Sequence, residues 1–409
     1  MKNLTPAADS GAWRFVTPEC RDYACGVLNS ESNMFSITVN DPAHFGVGRW
    51  EAEYTLAPGW YDLSVIGHTD ADMHDVYVLH NIYTDSNRTD IRDHAAHEEK
   101  ISDGWRFTDR IEVPENAQKC KIELWLKGYT GHVTWELPVI TPAEAPAPRE
   151  VRVAIGYMKP RAATLESNRE VYARIVDKCG AYDPDVILMS EGMYERGVAL
   201  PLHEKAESAE DGVMIRTMCE KAAQYHSYLI YNFHEKYEGE IYNSSLLIDR
   251  EGKIVGRYFK THLTVAELEM GMTPGKEHPV FDVDFGRIGL LTCYDQYFPE
   301  PANELAKKGA EIVFIPTAGD AREKCHARAL DGGFYFCVGG MNMENPYGWA
   351  PSRIIAPDGE ILAQSGEDEA VVFAVIDLSR KVRRHWLSTG ANMTEARSVY
   401  RFEKNPKSY

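Results

Sequence analysis

The chain has 409 residues, 44% of them hydrophobic, and a net charge of −18; it is longer than one hydrophobic core ordinarily serves, so two domains are expected. Both parts are acidic, with 13 Lys and Arg against 24 Asp and Glu up to residue 150 and 31 against 38 beyond it, which disfavours nucleic acid or an anionic membrane as partner. No run reaches the roughly 18 apolar residues of a membrane helix, and the start, Met1-Lys-Asn-Leu-Thr-Pro-Ala-Ala-Asp-Ser, lacks the apolar centre of a signal peptide, so a cytoplasmic location is the expectation.

From Trp13 to about Ile140 the text predicts strands, over 34–39, 50–56, 60–66, 75–82, 105–113, 121–126 and 132–137. Polar and apolar residues alternate there between Pro-Gly, Asp-Gly and Gly-Tyr turns, and nothing carries a helical period. An all-β, jelly-roll-like sandwich over 1–140 follows. Its aromatics, Trp50, Tyr54, Trp60, Tyr61, Trp105, Phe107, Trp125 and Trp135, suit a sandwich core; stacking on sugars is the alternative, and with it a glycan- or protein-binding role for this domain. Asp70, Asp72 and Asp75 with His68 and His74, and the pair His94 and His97, are metal-capable. They lack the glycine and terminal glutamate of a calcium loop and the fixed partners of a zinc site, so no metal and no cofactor is expected.

Thr141-Pro-Ala-Glu-Ala-Pro-Ala-Pro-Arg149 reads as a semi-rigid extended connector over 141–149. From 150 to 409 apolar strands alternate with helices. Strands are predicted over 151–156, 186–189, 228–232, 288–292, 312–315, 334–339 and 370–377, with helices over 167–178, 212–224, 301–308 and 322–332. Two hairpins turn at Arg250-Glu-Gly252 and Asp358-Gly359. That alternation means α/β layers. The eight cysteines (20, 25, 120, 179, 219, 293, 325 and 337) are scattered without a CxxC pair, which argues for reduced thiols rather than disulfides or zinc.

Three apolar strands in this second part each deliver an ionisable residue. Pro184-Asp-Val-Ile-Leu-Met-Ser-Glu191 ends in Glu191, Gly256-Arg-Tyr-Phe-Lys-Thr-His-Leu263 carries Lys260 and His262, and Ile288-Gly-Leu-Leu-Thr-Cys-Tyr-Asp-Gln-Tyr-Phe-Pro-Glu300 places Cys293 on the turn between strand and helix. Taken singly, each has a bland reading: a helix cap, a surface lysine, a buried thiol at a strand end. Together a carboxylate, an ammonium and a thiol supply a base, a cation for a developing oxyanion, and a nucleophile that forms a thioester. A thiolate at that turn would also gain from the helix N-terminus.

The segments Leu188-Met-Ser-Glu191, Tyr258-Phe-Lys260-Thr-His262-Leu263 and Cys293-Tyr-Asp-Gln-Tyr-Phe-Pro-Glu300 resemble, in order and separation, the Glu-Lys-Cys motifs of the nitrilase, or carbon–nitrogen hydrolase, superfamily over roughly residues 151 to 390. Ser190 departs from the usual proline before the glutamate. The resemblance implies a four-layer α-β-β-α sandwich, catalytic roles for Glu191, Lys260 and Cys293, and a homo-oligomer. It also implies a second glutamate ahead of Gly271-Met-Thr-Pro-Gly275; Glu267 and Glu269 are the candidates, and Glu269, nearer the glycine turn, is favoured. The backbone N–H of Tyr294 would join Lys260 in holding the oxyanion, while His262 braces its loop. The expected reaction is hydrolysis of a small linear amide or N-carbamoyl compound with loss of ammonia or an amine; transfer of the acyl group to an amine uses the same thioester. The run Cys-Tyr-Asp-Gln-Tyr-Phe-Pro-Glu resembles Cys-Trp-Asp-Gln-Trp-Phe-Pro-Glu of N-carbamoylputrescine amidases, with Tyr294 and Tyr297 in place of tryptophans.

Overall fold

The structure, a computed structural model, describes residues 12–20, 22–72, 74–85, 88–158, 164–192, 194–319, 321–342, 349–385 and 393–403. The chain forms two compact units, Met1–Ala147 with Lys381–Tyr409, and Pro148–Arg380. Among the described residues no helix is long and apolar enough to cross a membrane.

The first unit is a sandwich of two sheets. One runs in the order Arg14–Val16, Gly46–Tyr54, Lys119–Gly128, Val76–Asp85, Arg88–His94, Met393–Glu395 and Arg383–His385; the other runs Ala24–Asn29, Met34–Asn40, Thr130–Trp135, Gly59–His68, Gly104–Val113 and His97–Ile101, with Val139–Ala143 also paired to Gly59–His68. Strand alternation makes the core: Cys120, Ile122, Leu124 and Leu126 point inward from one sheet and meet Phe35, Ile37, Leu63, Val65 and Phe107 of the other. Of the sandwich aromatics, Trp50, Tyr54, Tyr61, Phe107 and Trp135 are buried in this core, as the packing reading expects. His94 ends one strand and His97 starts another, so the two share no helical face; His94 is buried against the Phe402 ring at 5.0 Å.

Two boundaries differ from the pattern in the sequence. The strand Val139–Ala143 runs into the connector expected over 141–149, so the extended stretch starts at Glu144. Residues 381–403 join the first unit instead of the α/β part. The reason is charge. Asp93 and Asp109 point into the sandwich and are buried, and the arm brings their counterions: Arg383 Nε reaches Asp93 Oδ2 at 2.8 Å and Lys381 Nζ reaches both Asp109 oxygens at 2.7 Å. His80 Nε2 meets Asp109 Oδ2 at 2.7 Å from the opposite sheet.

The second unit holds two six-stranded sheets face to face. The first runs Ile254–Phe259, Glu240–Ile248, Tyr228–Tyr237, Val186–Leu188, Glu150–Tyr157 and Ala370–Asp377; the second runs Val280–Val283, Gly286–Leu290, Ile312–Pro316, Tyr335–Gly339, Arg353–Ile355 and Ile361–Gln364. Each is parallel at its centre and antiparallel at its flanks. Val153, Ile155, Leu188, Ile230 and Leu247 of one pack against Ile288, Leu290, Phe314, Phe336 and Ile354 of the other. Helices Leu165–Gly180 and Val213–Tyr225 cover the outer face of the first sheet through Tyr172, Ile175, Val176, Met214 and Met218. Helices Pro299–Lys307 and Arg322–Gly332 form the fourth layer. Pro299–Lys307 lies so close that a Cβ on Gly289 would stand 2.8 Å from the Leu305 side chain, which would have to shift to admit one. This is the four-layer α-β-β-α arrangement expected from the motifs.

Candidate active site

Each of the three expected side chains leaves the end of a strand. Glu191 follows Val186–Leu188 and Lys260 follows Ile254–Phe259 in the first sheet, while Cys293 follows Gly286–Leu290 in the second. All three therefore stand at one rim of the paired sheets. Ser190, in place of the usual proline, is buried and donates its hydroxyl to the Gly340 carbonyl.

Cys293 has φ +42°, a left-handed conformation that costs a residue with a Cβ roughly 1–3 kcal/mol. The turn is held by Asp295, which is completely buried. Its carboxylate accepts from Thr292 N at 2.9 Å, Tyr258 Oη at 2.7 Å, Thr261 Oγ1 at 3.1 Å and His262 N at 3.0 Å. One side chain thus ties the cysteine turn to the strand and loop that carry Lys260. His262 is part of the brace: its Nδ1 lies 2.9 Å from Asp295 Oδ1 and its ring stacks on Phe298 at 4.2 Å. Tyr294, half-buried, follows the cysteine in the turn Cys293–Tyr297, its ring 5.2 Å from Tyr297.

Lys260 is buried between two carboxylates. Its Nζ lies 3.0 Å from Glu191 Oε1 and 2.8 and 2.9 Å from the oxygens of Glu267. Here the geometry corrects the expectation from the sequence, because the carboxylate beside the lysine belongs to Glu267, whereas Glu269 is exposed. The cause is the short helix Val265–Glu269. Thr264 is its N-cap, and Glu267, three residues on, reaches back to Thr264 N at 2.7 Å and Oγ1 at 2.9 Å. That capping box turns Glu267 inward; two residues later, Glu269 points elsewhere. The signal Thr264-Val-Ala-Glu267 was present in the sequence.

Asn243 and Asn232 carried no such signal, being ordinary polar residues in a strand pair. Asn243 Nδ2 lies 3.0 Å from Glu191 Oε1 and 2.7 Å from Glu267 Oε1, and Asn232 Nδ2 donates to Asn243 Oδ1 at 2.8 Å. Ala318 N donates to Glu191 Oε2 at 3.0 Å.

Burial by itself would push the Glu191 carboxyl up, but the Lys260 ammonium, the Cys293 thiol and Arg196 outweigh it and hold it at about 2. Burial likewise opposes the charge on Lys260, yet Glu191, Cys293 and Glu267 raise its pKa above the ordinary ammonium range. For Cys293, burial and then the Glu191 charge push the thiol up to about 11, against the pull of Lys260 and Thr317. The resting pair at neutral pH is thus thiol and carboxylate, not the free thiolate that a helix N-terminus alone would favour.

The model of the family described as carbon–nitrogen hydrolase matches residues 152–383, more than half of the chain. The chain belongs to the carbon–nitrogen hydrolase family. The match leaves the first sandwich strands outside it. A hydrolase of Pseudomonas protegens is 30% identical over 242 residues, covering 56% of this chain and 84% of that one. A probable nitrilase of Schizosaccharomyces pombe is 30% identical over 251 residues, 56% and 89% of the two chains. The crystal structure of Saccharomyces cerevisiae Nit3, of branch 10 of the nitrilase superfamily, superposes with a TM-score of 0.50 at 20% identity over 56% of this chain and 90% of that one, a likeness of fold. As a carbon–nitrogen hydrolase, the protein is an enzyme that cleaves C–N bonds.

Proposed function

We propose that the protein hydrolyses a small linear amide or N-carbamoyl compound through a thioester on Cys293. The observation that carries this reading is geometric: Glu191, Lys260 and Cys293 leave strand ends at one rim, with the buried Glu191 carboxylate held by Lys260 Nζ at 3.0 Å, Asn243 Nδ2 at 3.0 Å and Ala318 N at 3.0 Å. Glu191 takes the thiol proton as sulfur attacks the substrate carbonyl carbon. Lys260 and the Tyr294 N–H hold the oxyanion. Collapse of the tetrahedral adduct breaks the C–N bond, and the amine or ammonia departs with the proton from Glu191. Water, deprotonated by Glu191, attacks the thioester and releases the acid and the thiol. Glu267 keeps Lys260 charged and in place. The two oxygens of Glu191 have separate duties: Oε2 is pinned by Ala318 N and Oε1 by Lys260 and Asn243.

The test is a hydrolysis screen of linear amides and N-carbamoyl compounds with ammonia release as readout, run beside Cys293→Ala. Turnover that survives in Cys293→Ala would rule out the thioester path.

A further inference from the structure

Two carboxylates share one ammonium in this site, and Asn243 Nδ2 faces the same two oxygens as Lys260 Nζ. Pairs of close carboxylates elsewhere take up a proton, because like charges a few ångströms apart cannot both ionise at ordinary pH. A proton on Glu191 would silence it as a base. Glu191, Glu267, Asn243 and Asn232 are all buried, so bulk water cannot stabilise the second charge.

The polarity of the asparagines is fixed by the backbone. Gly192 N donates to Asn232 Oδ1 at 2.9 Å, and a backbone N–H can only donate, which sets that amide's orientation without ambiguity. Asn232 Nδ2 then faces Asn243 Oδ1 at 2.8 Å and Ser245 Oγ at 3.0 Å. With its oxygen so occupied, Asn243 presents Nδ2 to Glu191 Oε1 and Glu267 Oε1. That nitrogen has two hydrogens and accepts none, so a carboxyl proton on either oxygen would meet a hydrogen head-on. Lys260 N donates to the Asn243 carbonyl at 2.9 Å and locks the register.

We propose that Gly192, Asn232 and Asn243 form a directional amide relay that keeps Glu191 and Glu267 ionised together, making Asn232 and Asn243 positioning residues for the base. This rests on the reading of Glu191 as the base. The other groups acting on it are the Lys260 ammonium, the Cys293 thiol and the Arg196 guanidinium; Glu267 meets Lys260 and Thr264.

The experiment is the pH dependence of kcat/KM for the compound turned over fastest in the screen. Asn243→Asp sets a third carboxylate against the two glutamates, so the acid limb should move up by ~1 pH unit or more. Asn232→Asp touches neither glutamate, but it turns an acceptor toward Asn243 Oδ1 and reverses that amide. The same direction of shift is expected, with thermal unfolding confirming the fold. A packing defect alone would lower the rate equally at every pH. Should Asn243→Asp fail to fold, Asn232→Asp carries the test. A folded variant whose acid limb matches the wild type overturns the relay, provided that Glu191→Gln is inactive in the same assay. If Glu191→Gln stays active, the assignment of the base fails instead.

Discussion

Cys293, Glu191 and Lys260 act on one another's charge in ways that mutation separates. Cys293→Ala should abolish turnover with little loss of stability, because it removes the covalent path and only a small side chain; activity within tenfold of wild type would refute the assignment. Glu191→Gln keeps the shape but cannot accept the thiol proton, so a loss of roughly 10²–10⁴-fold in kcat is expected. The thiol itself gives a second readout. Glu191 raises its pKa and Lys260 lowers it, so the midpoint of Cys293 alkylation by iodoacetamide against pH should fall in Glu191→Gln and rise in Lys260→Ala. Shifts in the same direction would mean that the two charges do not act on the sulfur with opposite sign. These three residues were legible in the sequence because each is carried by an apolar strand to a strand end. The state of the thiol was not, since it depends on burial and on a neighbour about a hundred residues away.

At the level of strands and helices, the main pattern was plain from periodicity and the connecting turns were less so. The helix expected at 301–308 is Pro299–Lys307, its start two residues earlier because Pro299 opens it. The strand Val280–Val283 was not evident; it is short, and its antiparallel partner Gly286–Leu290 holds it at the edge of its sheet. The short helix Val265–Glu269 decided the second glutamate through its cap, whereas distance to the glycine turn pointed to the wrong residue. Glu267→Gln should lower kcat by ~10- to 100-fold, the worth of a hydrogen bond to a charged group, while Glu269→Gln should be silent. Equal effects from the two would mean that the capping box does not select the lysine's partner.

The division of the whole chain was the least visible feature, because the arm that completes the sandwich lies about 290 residues from the acids it neutralises. Asp93 and Asp109 sit where burial would push their carboxyls up, but Arg383, Lys381 and His80 hold Asp93 below its usual value, and Lys381 and His80 hold Asp109 well below it. Lys381 is likewise held above the usual ammonium range by Asp109, Glu395 and Asp93, against the effect of burial. A carboxyl with a depressed folded pKa binds its proton less readily in the native state. Its stabilising contribution is therefore complete above ~pH 4 and is lost as pH falls through the folded value. A lysine with a raised folded pKa contributes fully below ~pH 10 and loses that contribution as pH rises through its folded value. Lys381→Met leaves the buried Asp109 with His80 and the Arg110 N–H at 2.8 Å but no full cation, and Arg383→Met leaves Asp93 with the Glu395 N–H at 2.9 Å and the more distant charges of Lys381 and His80. Each should destabilise the sandwich by about 3–5 kcal/mol. In thermal unfolding of the whole chain, the gap between wild type and either variant should be wide from pH 5 to 9 and should close as acid protonates the two aspartates. A gap unchanged at low pH would mean that the arm is held by its strand pairing and the Phe402 contact, with the ion pairs incidental.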